Sequence, residues 1–240
     1  MTLLQARNIS KHFGGVKAVE QVEFDIEQGE IVGLIGPNGA GKTTLLNLLS
    51  GLYSCNNGHI YLDGLEITRM SPHKRSLVGI GRTFQVVQPF EMTVLENVMV
   101  PALAREKNTR KARAHALEVL EFMRLDRYWN HEPGNLTLAM KKRIEVARAL
   151  VTKPKLLLLD EVLAGLNPTE IAENLPLITQ VRDTGVTILY IEHLMDAIMK
   201  VSERILVMNQ GELIATGTPE EIIQTECVIK AYLGEEVLEC

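Results

Sequence analysis

The chain has 240 residues, of which 46% are hydrophobic and 23% are charged, and it carries a net charge of −5 at pH 7. This composition is ordinary for a globular protein and gives no sign of a nucleic-acid-binding surface. No apolar run approaches the roughly 20 residues that span a bilayer, so we expect another protein to make any membrane crossing.

The first predicted elements are two strands, residues 3–9 and 21–27, joined around a turn at Gly14-Gly15. Apolar and polar side chains alternate in the second strand, which is typical of a strand with one buried face and one solvated face. Residues 31–35 form a short apolar run that predicts a buried strand. A helix is predicted over residues 44–50.

A glycine-rich loop between this strand and this helix matches the pattern of a phosphate-binding loop. Its glycines allow backbone N–H groups to turn toward phosphate oxygens, and the helix N-terminus adds positive potential. We expect Lys42 to reach the β- and γ-phosphates of a nucleotide and Thr43 to bind Mg²⁺. A chance match to a glycine-rich turn is the alternative, because the pattern fixes only about four positions. The predicted nucleotide-binding residues are Gly36, Pro37, Asn38, Gly39, Ala40, Gly41, Lys42, Thr43 and Thr44.

The pattern changes after this helix. Asn56-Asn57-Gly58 predicts a turn, and residues 59–64 predict a short strand followed by another turn. Strand signals become sparse after residues 79–85, and helical patterns dominate from about residue 71 to residue 133. We interpret this stretch as a helical subdomain inserted between parts of an α/β core.

Two helices are predicted within this stretch. Thr93, followed three residues later by Glu96, is the capping-box pattern of a helix N-terminus. Residues 108–125 carry an apolar stripe at helical spacing. The basic run at residues 110–113 lies in the second helix, and we interpret it as a solvated helix face rather than a binding patch.

Helices alternate again with apolar strands in the last part of the chain, which indicates a parallel sheet covered on both faces. Pro176 is expected to bend or interrupt the helix in which it lies. The predicted strands are residues 155–160, 186–191, 204–208 and 212–216, and the predicted helices are residues 137–151, 169–183, 194–200, 219–226 and 228–233.

The strand over residues 155–160 ends in two carboxylates, Asp160 and Glu161. Ligands of an open parallel sheet bind beyond the carboxyl ends of its strands, so these carboxylates can meet the phosphate loop although they are distant in the chain. We expect Asp160 to bind Mg²⁺ and Glu161 to orient or deprotonate the attacking water. A helix-capping or turn carboxylate is the alternative.

His193 follows the next apolar strand, over residues 186–191. At the end of a strand of the same sheet, its side chain can reach a γ-phosphate and report whether that phosphate is present. A capping or surface histidine is the alternative, and the position after a third strand of the same set favours the functional role.

Taken in order, these motifs resemble those of the ATP-binding subunits of ATP-binding-cassette (ABC) transporters, and the resemblance runs nearly end to end. Residues 36–43 match the Walker A motif, and residues 156–160 match the Walker B motif. The resemblance implies that Glu161 is the catalytic glutamate and that His193 is the switch histidine.

The same resemblance implies two further site residues and the cofactors ATP and Mg²⁺. Gln85 matches the Q-loop glutamine, a catalytic residue that also contacts the metal. Phe13 matches the aromatic residue that stacks on adenine, and a core phenylalanine is the alternative. The implied fold is an α/β P-loop NTPase of the ABC-ATPase type. It would have a mixed, RecA-like core with an antiparallel β subdomain (residues 1–84 and 136–240) and an inserted helical subdomain (residues 85–135).

The stretch that resembles the family's signature motif departs from the usual Leu-Ser-Gly-Gly-Gln. It reads Leu136, Thr137, Leu138, Ala139 and Met140. In the family, this element opens a helix and, from one subunit, caps the γ-phosphate held by the other; a helix N-terminus with a hydroxyl suits that task. Thr137 keeps the hydroxyl and Ala139 keeps a small side chain, whereas Leu138 and Met140 replace a glycine and a glutamine.

Two more departures lie downstream. Asn167 stands where the family's D-loop usually has aspartate, and Val162 stands where proline usually follows the glutamate. Together with residues 135–139, 162–170 and 217–235, they resemble the importer branch that serves branched-chain amino acids, with urea importers close by.

The resemblance implies an ATP-hydrolysing subunit that dimerises around two ATP molecules, with an identical chain or a paralogue. Its other partners would be integral-membrane permease subunits and, indirectly, an extracytoplasmic solute-binding protein, with no nucleic acid. It would lie at the cytoplasmic face of the inner membrane as a peripheral protein. Val86, Val87, Phe90 and Met92 could form an apolar socket for a permease helix, or they could be local core.

Four other functions remain as alternatives. The chain could serve an importer of urea or other amides, or it could be a non-transport cassette ATPase of repair or translation. A P-loop kinase or GTPase would have no use for the helix that begins at Thr137. A binding-only regulatory module is the last alternative, and it does not explain the presence of both Asp160 and Glu161.

Overall fold

The computed structural model describes residues 1–233, which contain ten strands and nine α-helices. Residues 234 and 235 of the predicted ending motif lie outside the described part. The strands are β1 (Thr2–Phe13), β2 (Val16–Glu27), β3 (Ile31–Ile35), β4 (Asn57–Leu62), β5 (Leu65–Glu66), β6 (Ile80–Arg82), β7 (Leu156–Asp160), β8 (Thr187–Ile191), β9 (Arg204–Asn209) and β10 (Glu212–Gly217). The helices are α1 (Lys42–Ser50), α2 (Pro72–Val78), α3 (Val94–Arg105), α4 (Thr109–Phe122), α5 (Leu138–Leu150), α6 (Pro168–Asp183), α7 (Met195–Val201), α8 (Pro219–Ile222) and α9 (Glu226–Leu233).

Two sheets organise these elements. The smaller sheet has the order β2-β1-β4-β5 and is antiparallel throughout. The larger sheet has the order β10-β9-β3-β8-β7-β6, and its neighbours are parallel except for the antiparallel pair β9–β10. The predicted fold class, a mixed α/β core with a separate antiparallel sheet, is therefore confirmed.

The central strands β3, β7 and β8 are buried along their whole length. Their successive side chains enter two different cores. Ile31 and Ile35 of β3 pack in a core with α3 to α7, whereas Val32 and Leu34 pack in a core with α1 and the antiparallel sheet. Because both faces of these strands are buried, apolar residues occupy most positions and the alternation of a half-exposed strand is absent.

The helical stretch begins as predicted. The Thr93 hydroxyl accepts a hydrogen bond from the Glu96 N–H, and the Glu96 carboxylate accepts one from the Thr93 N–H, so the predicted capping box is confirmed. Asn108 caps α4. Helix α4 ends at Phe122 rather than at residue 125, because Arg124 has a left-handed backbone with φ 57°. The boundaries of the helical subdomain, residues 85 and 135, stay a prediction.

Some predicted elements are wrong. Asn57 and Gly58 belong to β4 and do not form a turn. A Cβ atom at Gly58 would lie 2.2 Å from the Asn8 carbonyl oxygen, so the glycine permits a close approach of β1 and β4. Helix α6 continues through Pro176, so the predicted interruption is wrong, whereas a bend at this residue stays a prediction. The two helices predicted over residues 219–226 and 228–233 are both present, but the break between them lies at residues 223–225 and not at residue 227.

Neither α2 nor β5 was predicted, and both are short. Among the helices of residues 1–233, none combines the length and the apolar character needed to cross a lipid bilayer.

Candidate functional site

The phosphate loop, residues 36–43, connects the carboxyl end of β3 to α1. Two of its glycines are required by the close approach of other strands. A Cβ atom at Gly36 would lie 2.1 Å from the Met208 carbonyl oxygen, and one at Gly41 would lie 2.3 Å from the Ala18 carbonyl oxygen. Both glycines also have positive φ, 151° and 102°. The loop therefore has a backbone course that other residues could not follow at these two positions.

Lys42 is the first residue of α1, and its side chain is buried. Its Nζ donates hydrogen bonds to the carbonyl oxygens of Gly36 at 2.7 Å and Pro37 at 3.0 Å. Burial lowers the pKa of Lys42, whereas the carboxylates of Glu161 and Asp160 act to raise it. The ammonium is thus folded back under the loop and lies within the field of both predicted catalytic carboxylates.

A cavity of about 540 Å³ opens on the outer side of the loop. Loop residues 38–43 and Thr44 line it, together with Gln85, Glu161 and His193. The structure therefore brings together side chains from the ends of β3, β7 and β8 and from the segment after β6. This is the meeting of strand ends that the sheet topology predicts.

Glu161 is the centre of the polar contacts in this cavity. Its Oε2 accepts a hydrogen bond from Gln85 Nε2 at 2.6 Å, and its Oε1 lies 2.8 Å from His193 Nε2. Its own backbone is fixed as well: the N–H donates to the Ile191 carbonyl oxygen, and the carbonyl oxygen accepts from Lys142 Nζ at 2.6 Å. Since the side chain contacts two other predicted site residues, it is not a helix cap.

Asp160 lies just behind the cavity and does not line it. Only 2% of its surface is exposed, and burial raises its pKa, while Arg82 acts to lower it. Asp160 Oδ2 pairs with Arg82 Nη2 at 3.3 Å, whereas Oδ1 is buried and has no hydrogen-bond partner among residues 1–233. Arg82 also donates to Asn47 Oδ1 at 2.6 Å and to Ser50 Oγ at 2.8 Å.

Arg82 was not predicted as a site residue, although a signal was present. It ends β6, the strand beside β7, so it shares with Asp160 the edge at which ligands bind. A positively charged residue at the end of β6 could have been predicted to pair with the carboxylate that ends the neighbouring strand.

The residues predicted to hold Mg²⁺ fit the chemistry of that ion. Nucleotide-bound Mg²⁺ takes few protein ligands and several phosphate or water oxygens. Asp160 offers an unpartnered carboxylate oxygen, and Thr43 lies on the cavity wall. The Gln85 amide nitrogen donates a hydrogen bond to Glu161. Within residues 1–233, no group of three or more His, Cys, Asp or Glu side chains could hold a metal by itself.

Phe13 does not line the cavity. Its ring is 44% exposed, and it makes an edge contact with Tyr53, with ring centroids 5.3 Å apart. Lys11 Nζ lies 5.1 Å from the Phe13 centroid. The alternative that Phe13 is a core residue is therefore wrong. Val16, three residues further on, does line the cavity.

The five signature residues also lie away from this cavity. Thr137 caps α5, as the Thr137 hydroxyl accepts a hydrogen bond from the Met140 N–H at 3.3 Å. Leu136 and Ala139 are buried, and Leu138 is 42% exposed. A Cβ atom at Gly165 would lie 3.1 Å from Leu138, so the signature stretch touches the segment before α6. None of these residues can contact a ligand in the cavity of the same chain.

Asn167 has a local task in this structure. It caps α6 in a second capping box with Glu170, and its Oδ1 accepts from the Glu170 N–H at 3.0 Å. Asparagine serves this task as well as aspartate does.

A carboxyl group next to His193 is buried. Glu192, next to His193, accepts a hydrogen bond from the Leu163 N–H at 2.6 Å. Burial raises the pKa of Glu192, while the nearby ammonium of Lys142 lowers it. The fold therefore holds Glu192 where its ionisation is unfavourable.

The segment after Gln85 borders a second cavity, of about 650 Å³. Val86 and Phe90 line it and are 66% and 41% exposed, so the core alternative is wrong for these two residues. Val87 and Met92 are half-buried. The Arg148 guanidinium lies over the Phe90 ring, 4.3 Å from the ring centroid.

Comparison with known proteins identifies the family to which this chain is similar. The sequence model described as "ABC transporter" matches residues 19–164, more than half of the chain, and the model "Branched-chain amino acid ATP-binding cassette transporter" matches residues 212–237. The chain is 39% identical to a probable branched-chain amino acid transport ATP-binding protein LivG of Archaeoglobus fulgidus, covering 100% of this chain and 99% of the relative. It is 41% identical to the high-affinity branched-chain amino acid transport ATP-binding protein BraF of Pseudomonas aeruginosa, covering 97% and 98%.

Solved structures show the same fold. A nucleotide-free ATP-binding cassette from an ABC transporter superposes with a TM-score of 0.90 at 31% identity, covering 98% of this chain and 100% of that chain. A dimeric cassette in a post-hydrolysis state, bound to ADP and Pi, superposes with a TM-score of 0.81 at 26% identity, covering 90% and 99%.

Proposed function

This chain belongs to the ABC transporter family as one of its ATP-binding cassettes, and we propose that it powers an importer of branched-chain amino acids. The observation that carries the proposal is the single cavity in which Lys42, Gln85, Glu161 and His193 meet. The cargo is inferred from the relatives named above and from the match over residues 212–237. The cargo itself would not contact this chain.

ATP would bind with its phosphates on the loop of residues 36–43. Lys42 now donates to two neutral carbonyl oxygens, and phosphate oxygens are stronger acceptors because they are charged. The exchange of partners would therefore favour nucleotide binding without moving α1. Thr43 and Asp160, with Gln85, would hold Mg²⁺, which supplies charge neutralisation at the β- and γ-phosphates.

Glu161 would accept the proton of the attacking water. A general base must lie within hydrogen-bond reach of the proton that it removes, and it must be held in one orientation. Gln85 and His193 contact the two different oxygens of this carboxylate, so both orient it. In this role His193 reports on the γ-phosphate through the same carboxylate that activates the water.

The site would be completed by a second cassette, either an identical chain or a paralogue. Thr137 and its neighbours lie outside their own chain's cavity but present the N-terminus of α5, a favourable environment for a phosphate. ATP held between two chains in this way favours the closed dimer. A differential affinity of about 5.5 kcal/mol is enough to move such an equilibrium from 1:99 to 99:1.

The membrane partners would dock beside the Q-loop. The exposed apolar residues Val86 and Phe90 line a cavity wide enough to receive a helix end of a permease subunit. This segment begins at Gln85, so movement of a permease bound there would change the contact between Gln85 and Glu161. The cassette would then lie at the cytoplasmic face of the membrane, with a solute-binding protein acting from the other side.

The first test compares the wild-type chain with Lys42→Ala. We expect the wild type to hydrolyse ATP and to double its mass in light scattering when MgATP is added. Lys42→Ala should lose both, while Lys111→Ala, which removes an exposed lysine of α4, should keep both. An unchanged MgATP-dependent dimer in Lys42→Ala, a preference for GTP, or phosphate transfer to an acceptor would contradict the proposal.

The cargo is tested separately. Cells that lack this chain should lose uptake of labelled leucine and regain it when the chain is supplied. Loss of urea uptake with normal leucine uptake would assign the chain to the urea importers instead.

A further inference from the structure

Helix α9 contacts the phosphate loop through a residue that the predicted site does not include. The Tyr232 hydroxyl oxygen accepts a hydrogen bond from the backbone N–H of Gly36 at 2.9 Å, although 196 residues separate the two in the chain. Cys227, Val228 and Ala231 are buried and fix α9 to the core. The tyrosine is therefore held in place by a packed helix rather than by a free chain end.

Gly36 is held at both of its polar backbone groups. Its N–H donates to Tyr232, and its carbonyl oxygen accepts from Lys42 Nζ. Gly36 is buried, so without the hydroxyl its N–H would lack a partner, and a buried unpaired N–H is unfavourable. The hydroxyl of Tyr232 thus acts on the peptide that orients Lys42.

The hydroxyl has a second neighbour. Burial raises the pKa of Tyr232, and the Gly36 N–H acts in the opposite direction. The phenol therefore keeps its proton at neutral pH and can donate it to Met195 Sδ, 3.9 Å away. Met195 begins α7, two residues after His193, so one hydroxyl contacts the loop and the helix that follows the predicted switch histidine.

We propose that Tyr232 is a positioning residue for ATP binding, which fixes the first peptide of the phosphate loop and, through it, Lys42. The proposal rests on the ATPase function proposed above. Tyr232 does not line the cavity, so it acts through Gly36 and not on the nucleotide. It lies within residues 212–237, which match the branched-chain amino acid cassettes, whereas the match to ABC transporters in general ends at residue 164. In this way, the C-terminal segment that matches the branched-chain amino acid cassettes would contribute a positioning residue to the ATP site.

Tyr232→Phe tests the proposal because it keeps the ring and removes only the hydroxyl. Without this hydrogen bond, the Gly36 peptide is no longer held in place in the nucleotide-free chain and must be ordered again when MgATP binds, so binding should weaken by about 5- to 30-fold. KM for ATP should rise by a similar factor while kcat stays near the wild-type value, because the bond is present in the ground state and in the transition state alike. Calorimetry with MgATP and steady-state phosphate release measure the two quantities.

Two control variants sharpen the test. Tyr128→Phe removes the hydroxyl of a half-buried tyrosine outside the cavity, and Met195→Leu removes the sulfur while the Gly36 contact remains. Both should keep the wild-type KM. Unchanged KM and affinity in Tyr232→Phe would overturn the proposal, and so would a lower melting temperature and lower kcat at unchanged KM. A wild-type chain that neither binds nor hydrolyses ATP would overturn the proposed function and this inference with it.

Discussion

Replacement of Glu161 by glutamine separates ATP binding from ATP hydrolysis in this site. The backbone of residue 161 is held through its own N–H and carbonyl groups, by Ile191 and Lys142, and these contacts do not involve the side chain. Glutamine has nearly the same size and shape, and its oxygen can still accept from Gln85. The fold and the cavity wall should therefore be retained, and only the ability to take a proton should be lost.

The size of the effect follows from the role of a general base. Its loss lowers turnover on the order of 10²–10⁴-fold, which corresponds to about 3–5 kcal/mol of transition-state stabilisation. Binding should change little or become tighter, because the carboxylate lies in the same cavity as the loop and would repel a γ-phosphate. We expect the affinity for MgATP to stay within about threefold of the wild type, less than 1 kcal/mol.

Single-turnover phosphate release measures the chemical step, calorimetry measures MgATP binding, and light scattering measures the dimer. Glu161→Gln should accumulate an ATP-bound dimer that releases phosphate slowly. Glu118→Gln is the control, since Glu118 is an exposed glutamate of α4 outside the cavity. Turnover of Glu161→Gln within about threefold of the wild type would refute the role of general base.

Three further changes have distinct expected outcomes. His193→Ala should slow hydrolysis by up to about 100-fold through misplacement of Glu161, with little effect on MgATP binding; an equal loss of both would indicate a structural histidine. Arg82→Ala leaves the buried Asp160 carboxylate unpaired and should cost about 3–5 kcal/mol in urea unfolding, and a cost below about 1 kcal/mol would contradict the pair. The raised pKa of Glu192 gives a contribution to stability that is complete below the ordinary value of 4.5 and is lost as pH rises through the folded-state pKa. Glu192→Gln lacks that loss, so its stability relative to the wild type should increase as pH rises above 4.5, and parallel pH profiles would refute this.

Local signals in the sequence predicted local structure well. The Thr93–Glu96 capping box forms between residues three apart, so no distant part of the chain can override it. The meeting of Glu161 and His193 with the phosphate loop also followed from a general rule, since strands of one parallel sheet place their carboxyl ends at one edge. Their catalytic roles stay predictions.

The failures share a different origin. Gly58 is in a strand because the Asn8 carbonyl oxygen approaches it from β1, and the turn pattern around it contains no sign of that neighbour. Arg82 pairs with Asp160 across two strands that are far apart in the chain. Tyr232 reaches Gly36 over an even greater separation. These contacts depend on which elements become neighbours, and composition or periodicity within one element does not report that.

The central place of β3 in the larger sheet has a consequence for how the protein is made. Its two neighbours, β8 and β9, are built from residues 187–209, and Tyr232 follows still later. A ribosome that adds about 5–20 residues per second needs roughly 10–40 s to translate the 196 residues from Gly36 to Tyr232. During most of translation, the nascent phosphate loop therefore lacks the neighbouring strands and the tyrosine that hold it in the folded chain. Prematurely terminated products that lack these late strands would be poor competitors for cellular ATP and for intact cassettes.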